Sequence, residues 1–286
     1  MSTLRFLKGH GTENDFVIVP DPDGALDLSA ARVAALCDRR AGIGADGMLR
    51  VVRSAKDPAA AHMAGEAEWF MDYRNADGSI AEMCGNGARV FARYLVESGE
   101  AAPGDLRIAT RGGVRAVHVP EGGGDVTVGM GAARLPGPDG IAVTLPDGSV
   151  HAAVNVNMGN PHAVVFVADL DDAGDLLTAP AIAPATAYPE GANVEFVVDR
   201  APRHVAMRVH ERGSGETRSC GTGACAVMVA SARRDAAALP ATYTVDVPGG
   251  RLVITEHPDG AVDMTGPAVI LAEGEVDLDR LPAGHA

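Results

Sequence analysis

The sequence predicts an α/β fold of the α+β type, with two pseudo-symmetric domains that each wrap a curved, mostly antiparallel sheet around one central helix. The first observation is a repeat. The pentapeptide Cys84-Gly85-Asn86-Gly87-Ala88 returns as Cys220-Gly221-Thr222-Gly223-Ala224, close to half the length of this 286-residue chain further on. The second observation is that each copy opens an apolar stretch with helical spacing. The third is that short alternating segments bounded by Gly-rich turns, typical of antiparallel strands, surround both copies.

The first half is expected to contain seven short strands and two helices. One helix covers Ala30–Arg39 and begins after the capping residue Ser29, and the other covers Ala88–Ser98 and ends at Gly99. The polar, Ala-rich stretch Lys56–Glu66 is expected to be a surface excursion. The predicted strands are Arg5–Leu7, Phe16–Val19, Met48–Val52, Trp69–Tyr73, Leu106–Thr110, Val114–Val119 and Asp125–Val128.

The second half repeats this plan after a Pro/Gly-rich connector, Leu135–Gly140. Its helix, Ala224–Arg233, is apolar on every side, so it is expected to be covered by other structure. The predicted strands are His151–Asn155, Val164–Val167, Val194–Val198, Ala206–His210, Thr242–Val247, Arg251–Thr255 and Ala261–Thr265. We therefore predict one domain from residues 1–130 plus 266–286, which carries Cys84, and a second from residues 131–265, which carries Cys220.

Composition excludes several classes of function. The net charge of −14 argues against a nucleic-acid surface, and no apolar run is long enough for a membrane helix. The N-terminus passes directly into a strand pattern, so we expect a cytoplasmic protein. Lys8 and Lys56 are the only lysines, which disfavours Schiff-base chemistry, and the cysteines lack zinc spacing. Neither a cofactor nor a metal is expected, and the sequence leaves homodimer formation open.

The two cysteine loops suggest acid–base chemistry. A thiol at a helix N-terminus has a lowered pKa, and a dipole contribution of up to about 2 kcal/mol corresponds to about one pKa unit. We therefore expect a pair that holds one thiolate and one thiol. The unpaired N–H groups of the first turn can bind a carboxylate and stabilise charge that develops on it. One sulfur could then remove an α-proton while the other delivers a proton to the opposite face.

Six segments, matched in order over nearly the whole chain, resemble diaminopimelate epimerase. They are Asn14-Asp15-Phe16, Gly42-Ile43-Gly44-Ala45-Asp46, Asn75-Ala76-Asp77-Gly78-Ser79, Met83–Arg89, Met158–His162 and Glu211–Ala224. The resemblance implies a diaminopimelate epimerase-like two-domain fold. It also implies cofactor-independent interconversion of LL- and meso-2,6-diaminopimelate, a step in the synthesis of lysine and peptidoglycan precursors.

The resemblance also implies roles for individual residues. Cys84 and Cys220 would be the catalytic pair. The groups that donate to the reacting carboxylate would be Gly85, Asn86, Gly221 and Thr222. The substrate would be held by Asn14, Asn75, Asn160, Asn193, Glu211 and Arg212, with Arg212 on the distal carboxylate. His162 and Glu211 would adjust the cysteine pKa values.

Two positions depart from the family pattern, and three other classes of function stay open. The family often has Gln where this chain has Gly47, and usually has Gly where this chain has Glu13. A racemase of another amino acid, such as proline or histidine, would share the architecture. A phenazine-biosynthesis-type isomerase would share the fold without needing paired cysteines. A thiol redox sensor or small-ligand binding protein would use the thiols without epimerisation.

Overall fold

The structure is a computed structural model that describes residues 3–136, 140–145 and 147–282. Residues 137–139 of the predicted connector therefore lie outside the described residues. The chain divides into two compact units. The first contains Met1–Val128 and Pro267–Ala286, and the second contains Gly129–Gly266.

Strands dominate the described part of the chain. They are β1 (Thr3–Gly11), β2 (Asn14–Pro20), β3 (Gly47–Arg53), β4 (Trp69–Asn75), β5 (Gly104–Thr110), β6 (Gly113–Val119), β7 (Val126–Ala132), β8 (Ala142–Thr144), β9 (Val150–Asn157), β10 (Pro161–Phe166), β11 (Ala181–Ala183), β12 (Asn193–Ala201), β13 (His204–Glu211), β14 (Gly215–Glu216), β15 (Ala241–Val247), β16 (Gly250–Glu256), β17 (Ala261–Gly266) and β18 (Val269–Asp277). The α-helices are α1 (Ala30–Cys37), α2 (Gly85–Glu97) and α3 (Gly221–Arg234). Single 3-10 turns occur at Ser54–Lys56, Ala61–Met63, Leu170–Ala173, Ala185–Ala187 and Leu278–Arg280.

In the first unit the strands pair in the order β18-β1-β2-β3-β4-β5-β6-β7. The pairs β2–β3 and β4–β5 are parallel, and the others are antiparallel. The hairpin from β1 to β2 turns through Thr12 and Glu13, which both have positive φ, as tight two-residue hairpin turns require.

The second unit repeats this pairing pattern. Its main strands pair in the order β9-β10-β12-β13-β15-β16-β17. Here β10–β12 and β13–β15 are the parallel pairs, at the same two steps as in the first unit. The short strand β8 pairs antiparallel with both β9 and β11, and β14 extends β13. Strands β2, β3 and β4 thus correspond to β10, β12 and β13.

Each unit surrounds one helix. In the first unit α2 contacts β1 to β6 and β18, and in the second unit α3 contacts β9, β10, β12, β13 and β15 to β17. The buried residues of α2 run without a break from Gly85 to Leu95. In α3 the run from Gly223 to Ala232 is buried as well. This arrangement confirms the predicted fold of a mostly antiparallel sheet around a central helix.

Several boundaries differ from the sequence predictions. Helices α2 and α3 begin at Gly85 and Gly221, three residues earlier than predicted, because each cysteine itself caps the helix. Helix α1 ends at Cys37 rather than Arg39. The stretch Lys56–Glu66 is only partly a surface excursion, since Ala60 and Met63 pack into an apolar cluster with Phe70.

Four strands were not predicted: β8, β11, β14 and β18. The first three have two or three residues each, too few to show a period of two. Strand β18 has the sequence VILAEGEVD, whose charged second half does not stand out as a strand. No described helix is long and apolar enough to cross a membrane.

Candidate active site

A cysteine caps the N-terminus of each central helix. Cys84 and Cys220 both have extended backbones, and each Sγ accepts a hydrogen bond of 3.4 Å from the backbone N–H three residues later, that of Gly87 or Gly223. The sulfurs take the place that a serine or threonine oxygen usually takes at an N-cap. Each sulfur is therefore fixed beside the first N–H groups of its helix, where the helix dipole is positive.

In the first unit the Cys84 sulfur faces neutral amides. Its thiol donates to Asn14 Oδ1 at 3.6 Å, and Asn86 Nδ2 donates to the same oxygen at 3.2 Å. The other end of the Asn14 amide donates to Asp46 Oδ2 at 2.8 Å. Asp46 thus orients Asn14 so that its carbonyl oxygen faces Cys84.

Asp46, which orients Asn14, belongs to a cluster of ion pairs. Arg39 Nη2 donates to Asp15 Oδ1 at 2.7 Å and to Asp46 Oδ1 at 2.6 Å, and Lys8 Nζ donates to Asp15 Oδ2 at 2.6 Å. Burial alone would raise the pKa of Asp15, but the hydrogen bonds from Arg39 and Lys8 outweigh it and hold this pKa well below its usual range. The Asp15 carboxylate therefore stays ionised and paired with Arg39 and Lys8.

A buried arginine ties the β1–β2 turn to the first turn of α2. The Arg89 side chain is completely buried, and its Nη2 donates to Thr12 Oγ1 at 3.2 Å and to Asn86 Oδ1 at 3.0 Å. Glu13, which replaces the usual family glycine, keeps a left-handed φ of 60° with an exposed side chain. The departure at Glu13 therefore leaves the turn intact.

Asn75 and Gly47 lie opposite each other at the ends of β4 and β3. The Asn75 side chain donates to Ser79 Oγ at 3.0 Å and so closes the turn after β4. At Gly47 a Cβ would lie 2.6 Å from the Arg74 carbonyl oxygen and 2.8 Å from Tyr73 Cε2. Close packing against β4 thus leaves no room for a side chain at position 47 of this chain.

In the second unit the Cys220 sulfur faces carboxylates. Glu211 accepts a hydrogen bond from the Cys220 thiol and another from Thr217 Oγ1, and Thr222 Oγ1 lies 3.6 Å from the sulfur. Burial raises the pKa of Cys220 well above its ordinary value, and the charges of Glu211 and Glu195 raise it further. The expectation of a helix-lowered thiol pKa is therefore wrong for Cys220, because the effect of one helix dipole is smaller than that of burial and of the two carboxylates.

Burial also raises the pKa of Glu211, against the hydrogen bonds from Thr217 and Cys220, which lower it. The site thus holds a thiol that keeps its proton next to a carboxyl group with increased proton affinity. This pair can pass one proton back and forth over a short path.

His162 lies within a hydrogen-bonded chain that leads back to the same sulfur. Its Nδ1 is 2.6 Å from Glu195 Oε1, and its Nε2 is 3.0 Å from Asn160 Oδ1. Asn160 Nδ2 in turn donates to Thr222 Oγ1 at 3.3 Å. His162 and Glu195 are both fully buried.

Asn193 and Arg212 form the remaining part of the second cluster. Asn193 Oδ1 accepts a hydrogen bond of 2.9 Å from the backbone N–H of Arg212, which fixes the start of the loop after β13. The Arg212 side chain is 44% exposed and is held loosely, with Nη1 3.4 Å from the Glu190 carbonyl oxygen and 3.8 Å from Glu190 Oε2. The guanidinium is therefore available for a stronger, bidentate partner.

The structure places the sequence-predicted site residues in two clusters, one per unit. In the first unit the start of β2, the end of β4 and the N-terminus of α2 carry Asn14, Asn75, Gly85, Asn86 and Cys84. In the second unit the residues lie at the starts of β10 and β12, at the end of β13 and at the N-terminus of α3. They are Asn160, His162, Asn193, Glu211, Arg212, Gly221, Thr222 and Cys220. The described residues include no group of three or more His, Cys, Asp or Glu side chains that could hold a metal ion.

Sequence reasoning missed Glu195. Its signal was a single acidic residue inside the otherwise apolar strand Val194–Val198. A charged side chain in a buried apolar strand is costly unless it is paired, so Glu195 indicated a buried ion-pair or hydrogen-bond partner.

Solved structures similar to this chain define its fold class. A phenazine biosynthesis protein of the PhzF family from Bacillus anthracis is 18% identical, with a TM-score of 0.71 and coverage of 96% of this chain and 99% of that chain. A hydroxyproline epimerase from Agrobacterium vitis is 16% identical, with a TM-score of 0.67 and coverage of 96% and 91%. The protein thus has the two-domain fold shared by PhzF proteins and hydroxyproline epimerases.

Sequence comparison then identifies the family within this class. The family model for diaminopimelate epimerase matches residues 6–136 and 154–271. A diaminopimelate epimerase from Streptomyces coelicolor is 71% identical over 283 residues, which cover 97% of both chains. The chain belongs to the diaminopimelate epimerase family.

Proposed function

We propose that this protein is an isomerase that interconverts LL- and meso-2,6-diaminopimelate without a cofactor. The observation that carries the proposal is the pair of cysteine-capped helices, Cys84 on α2 and Cys220 on α3, in a chain of this family. In the proposed reaction one sulfur removes the α-proton and the other delivers a proton to the opposite face of the same carbon. The C–H bond that breaks and the C–H bond that forms are on one carbon, so no oxidant or reductant is required.

The different surroundings of the two sulfurs support an assignment of their resting states. Cys220 keeps its proton, because burial and the carboxylates of Glu211 and Glu195 disfavour its thiolate. We therefore assign the acid to Cys220 and the base to Cys84, whose thiol must first give up the proton that it donates to Asn14 Oδ1. In the opposite direction Glu211 is the group beside Cys220 that can accept its proton.

The helix N-termini supply binding for the reacting carboxylate. The backbone N–H groups of Gly85, Asn86, Gly221 and Thr222 lie in the first turn of each helix, at the positive end of its dipole, and we assign them to the carboxylate. As the α-carbon loses its proton, negative charge moves onto this carboxylate, and the same donors stabilise it more strongly than in the ground state.

The distal end of diaminopimelate also carries an amino-acid group, and we assign its recognition to polar side chains. Arg212 would exchange its loose contacts with Glu190 for a bidentate pair with the distal carboxylate. Asn14, Asn75, Asn160 and Asn193 would orient the remaining polar groups. Asn75 must then release Ser79 or contribute through its carbonyl oxygen, because its amide nitrogen is bonded to Ser79 Oγ.

We also propose that the two units are duplicated domains and that the enzyme works in the cytoplasm. The repeated strand pairing and the repeated Cys-Gly-X-Gly-Ala sequence support duplication. A mechanism that needs two reduced cysteines suits a reducing compartment, where disulfides are rare.

Single substitutions of the two cysteines test the proposal. Cys84→Ser and Cys220→Ser should each lose at least about 1,000-fold in kcat for both isomers, since each removes one of two required acid–base groups. The buried Cys37→Ala is the matched control, and it should retain turnover. Turnover in deuterium oxide should place deuterium at the inverted α-carbon.

Three results would contradict the proposal. Inverted product without deuterium would exclude the two-base route, and full activity in either serine variant would exclude that cysteine. A panel of LL-diaminopimelate, L-proline and L-histidine tests the substrate, and a preference for either monocarboxylate would favour a racemase instead.

A further inference from the structure

Glu195 is a buried carboxylate that the proposed reaction does not use directly. It lies on β12, opposite Val164 in the parallel pair with β10, and its side chain is completely buried. Placing a charge in such a position costs several kcal/mol unless the charge is paired. Its surroundings must therefore supply a partner.

The partner is His162. Glu195 Oε1 lies 2.6 Å from His162 Nδ1, and both side chains are fully buried. Tyr188 holds the histidine from the backbone side, where its hydroxyl donates to the His162 carbonyl oxygen at 3.2 Å. Glu195 Oε2 has no hydrogen-bond partner among the described residues, so the whole pairing of this carboxylate rests on one imidazole nitrogen.

The other ring nitrogen of His162 also faces an oxygen. Nε2 lies 3.0 Å from Asn160 Oδ1, an orientation that follows from Asn160 Nδ2 donating to Thr222 Oγ1 at 3.3 Å. The Nδ1 contact with Glu195 and the Nε2 contact with Asn160 together fix the plane of the ring.

Glu195 also borders the Cys220 sulfur. A Cβ built on Gly223 would lie 2.8 Å from Glu195 Oε1 and 3.3 Å from Cys220 Sγ, so carboxylate and sulfur flank the same small space. From the other side Thr222 Oγ1, the end of the hydrogen-bonded chain, lies 3.6 Å from the same sulfur. The chain from Glu195 through His162 and Thr222 therefore closes around the first turn of α3.

We propose that Glu195 is a positioning residue, which holds His162 in place through Nδ1 and so fixes the Asn160–Thr222 arm that contacts Cys220. This inference rests on the proposed function, because the arm matters only if Cys220 exchanges protons with a substrate. Glu195 itself touches no substrate in this arrangement. It sets the orientation of the ring and keeps the hydroxyl of Thr222 directed at the sulfur.

Two variants and a matched control test the proposal. Glu195→Ala removes the contact with Nδ1, and Glu195→Gln keeps an acceptor of the same shape but removes the charge. Glu256→Gln is the control, since Glu256 is another buried carboxylate of the second unit, paired with Arg233 at 2.9 Å and not with His162. Both Glu195 variants are first compared with wild type for thermal unfolding.

We expect kcat to fall by about 10- to 100-fold in Glu195→Ala, with KM within about threefold of wild type. Losses of about this size follow when a functional histidine loses the hydrogen-bond partner that orients it. Glu195→Gln should lose about tenfold, because it retains the acceptor. Proton NMR supplies a readout independent of turnover. The short Nδ1–H···O contact predicts a far-downfield imidazole N–H resonance, which should disappear in Glu195→Ala, shift upfield in Glu195→Gln and persist in Glu256→Gln.

An unchanged resonance in both Glu195 variants, or a kcat within twofold of wild type in a folded variant, overturns the proposal. A fall in kcat matched by the control overturns it too, since any buried carboxylate would then do the same. If Glu195→Ala does not fold, Glu195→Gln decides by the same criteria. If wild type does not epimerise diaminopimelate, the proposed function fails, while the resonance still reports whether Glu195 holds His162.

Discussion

Replacing Gly223 by alanine should reduce activity much more than the same change at Gly87, the equivalent glycine of the first unit. Both glycines are the third residue of a central helix, and both N–H groups donate to the capping sulfur. Alanine keeps these hydrogen bonds and raises helix propensity by up to about 1 kcal/mol at either position. The difference lies in what the new methyl group would contact.

At Gly223 a Cβ would lie 2.8 Å from Glu195 Oε1, closer than real Cβ contacts, whereas at Gly87 it would lie 3.1 Å from Leu49 Cδ2. The Glu195 carboxylate would have to move by about half an ångström, and its 2.6 Å contact with His162 would have to break or shift. Overpacking of this kind costs about 1–3 kcal/mol. The leucine methyl group at Gly87 can instead adjust by a few tenths of an ångström.

Steady-state kinetics of both variants in both reaction directions measure the effect. We expect kcat of Gly223→Ala to fall by about 10- to 100-fold, since small misplacements of catalytic groups cost up to about 100-fold. Gly87→Ala should stay within about threefold of wild type, apart from any contact of its methyl group with the substrate. Equal losses in the two variants, or a fully active Gly223→Ala, would refute the reasoning.

Three further predictions concern packing and ionisation. Gly47→Ala should destabilise the protein by about 1–3 kcal/mol in urea unfolding, because its Cβ would lie 2.6 Å from a backbone carbonyl oxygen. The control is Gly65→Ala, whose Cβ would have nothing within 4 Å and which should leave the free energy of unfolding unchanged. Glu211→Gln should lower the pKa of the Cys220 thiol, because the carboxylate that faces the sulfur is replaced by a neutral amide. Alkylation of Cys220 should then begin at lower pH. An unchanged pH profile of alkylation would contradict the effect assigned to Glu211. Burial raises the pKa of Cys37 from 9.0 to about 12, so its contribution to stability is fully present below pH 9 and is lost as pH rises toward 12. The unfolding midpoint should fall across that window, and less steeply in Cys37→Ala.

The fold was predictable from the sequence because its strongest features are local. The repeated Cys-Gly-X-Gly-Ala sequence and the apolar run after it suffice to locate both central helices. Their first residues were misplaced, since an N-cap cysteine is not among the usual capping residues. Strands β8, β11 and β14 were missed because two or three residues carry no periodicity, and their pairing is decided by partners distant in sequence.

The residues of the candidate site were predictable from the sequence, but the pKa of the Cys220 thiol was not. Motif order located Asn14 and Glu211, whose side chains contact the two sulfurs, and His162, which reaches Cys220 through Asn160 and Thr222. The helix-dipole argument failed at Cys220 because the pKa of a thiol depends on burial and on carboxylates from other strands. A residue such as Glu195, 25 positions before Cys220, enters that environment only when β12 packs beside α3.

The two cysteines therefore have the same local backbone conformation but different electrostatic surroundings. Cys84 faces an amide oxygen whose orientation is fixed by Asp46, and Cys220 faces two carboxylates and the arm held by His162. Burial and the two carboxylates raise the pKa of Cys220, and these carboxylates come from β12 and β13, outside the repeated pentapeptide. A duplicated sequence thus supplies two thiols of the same type, and the residues that differ between the copies set their surroundings.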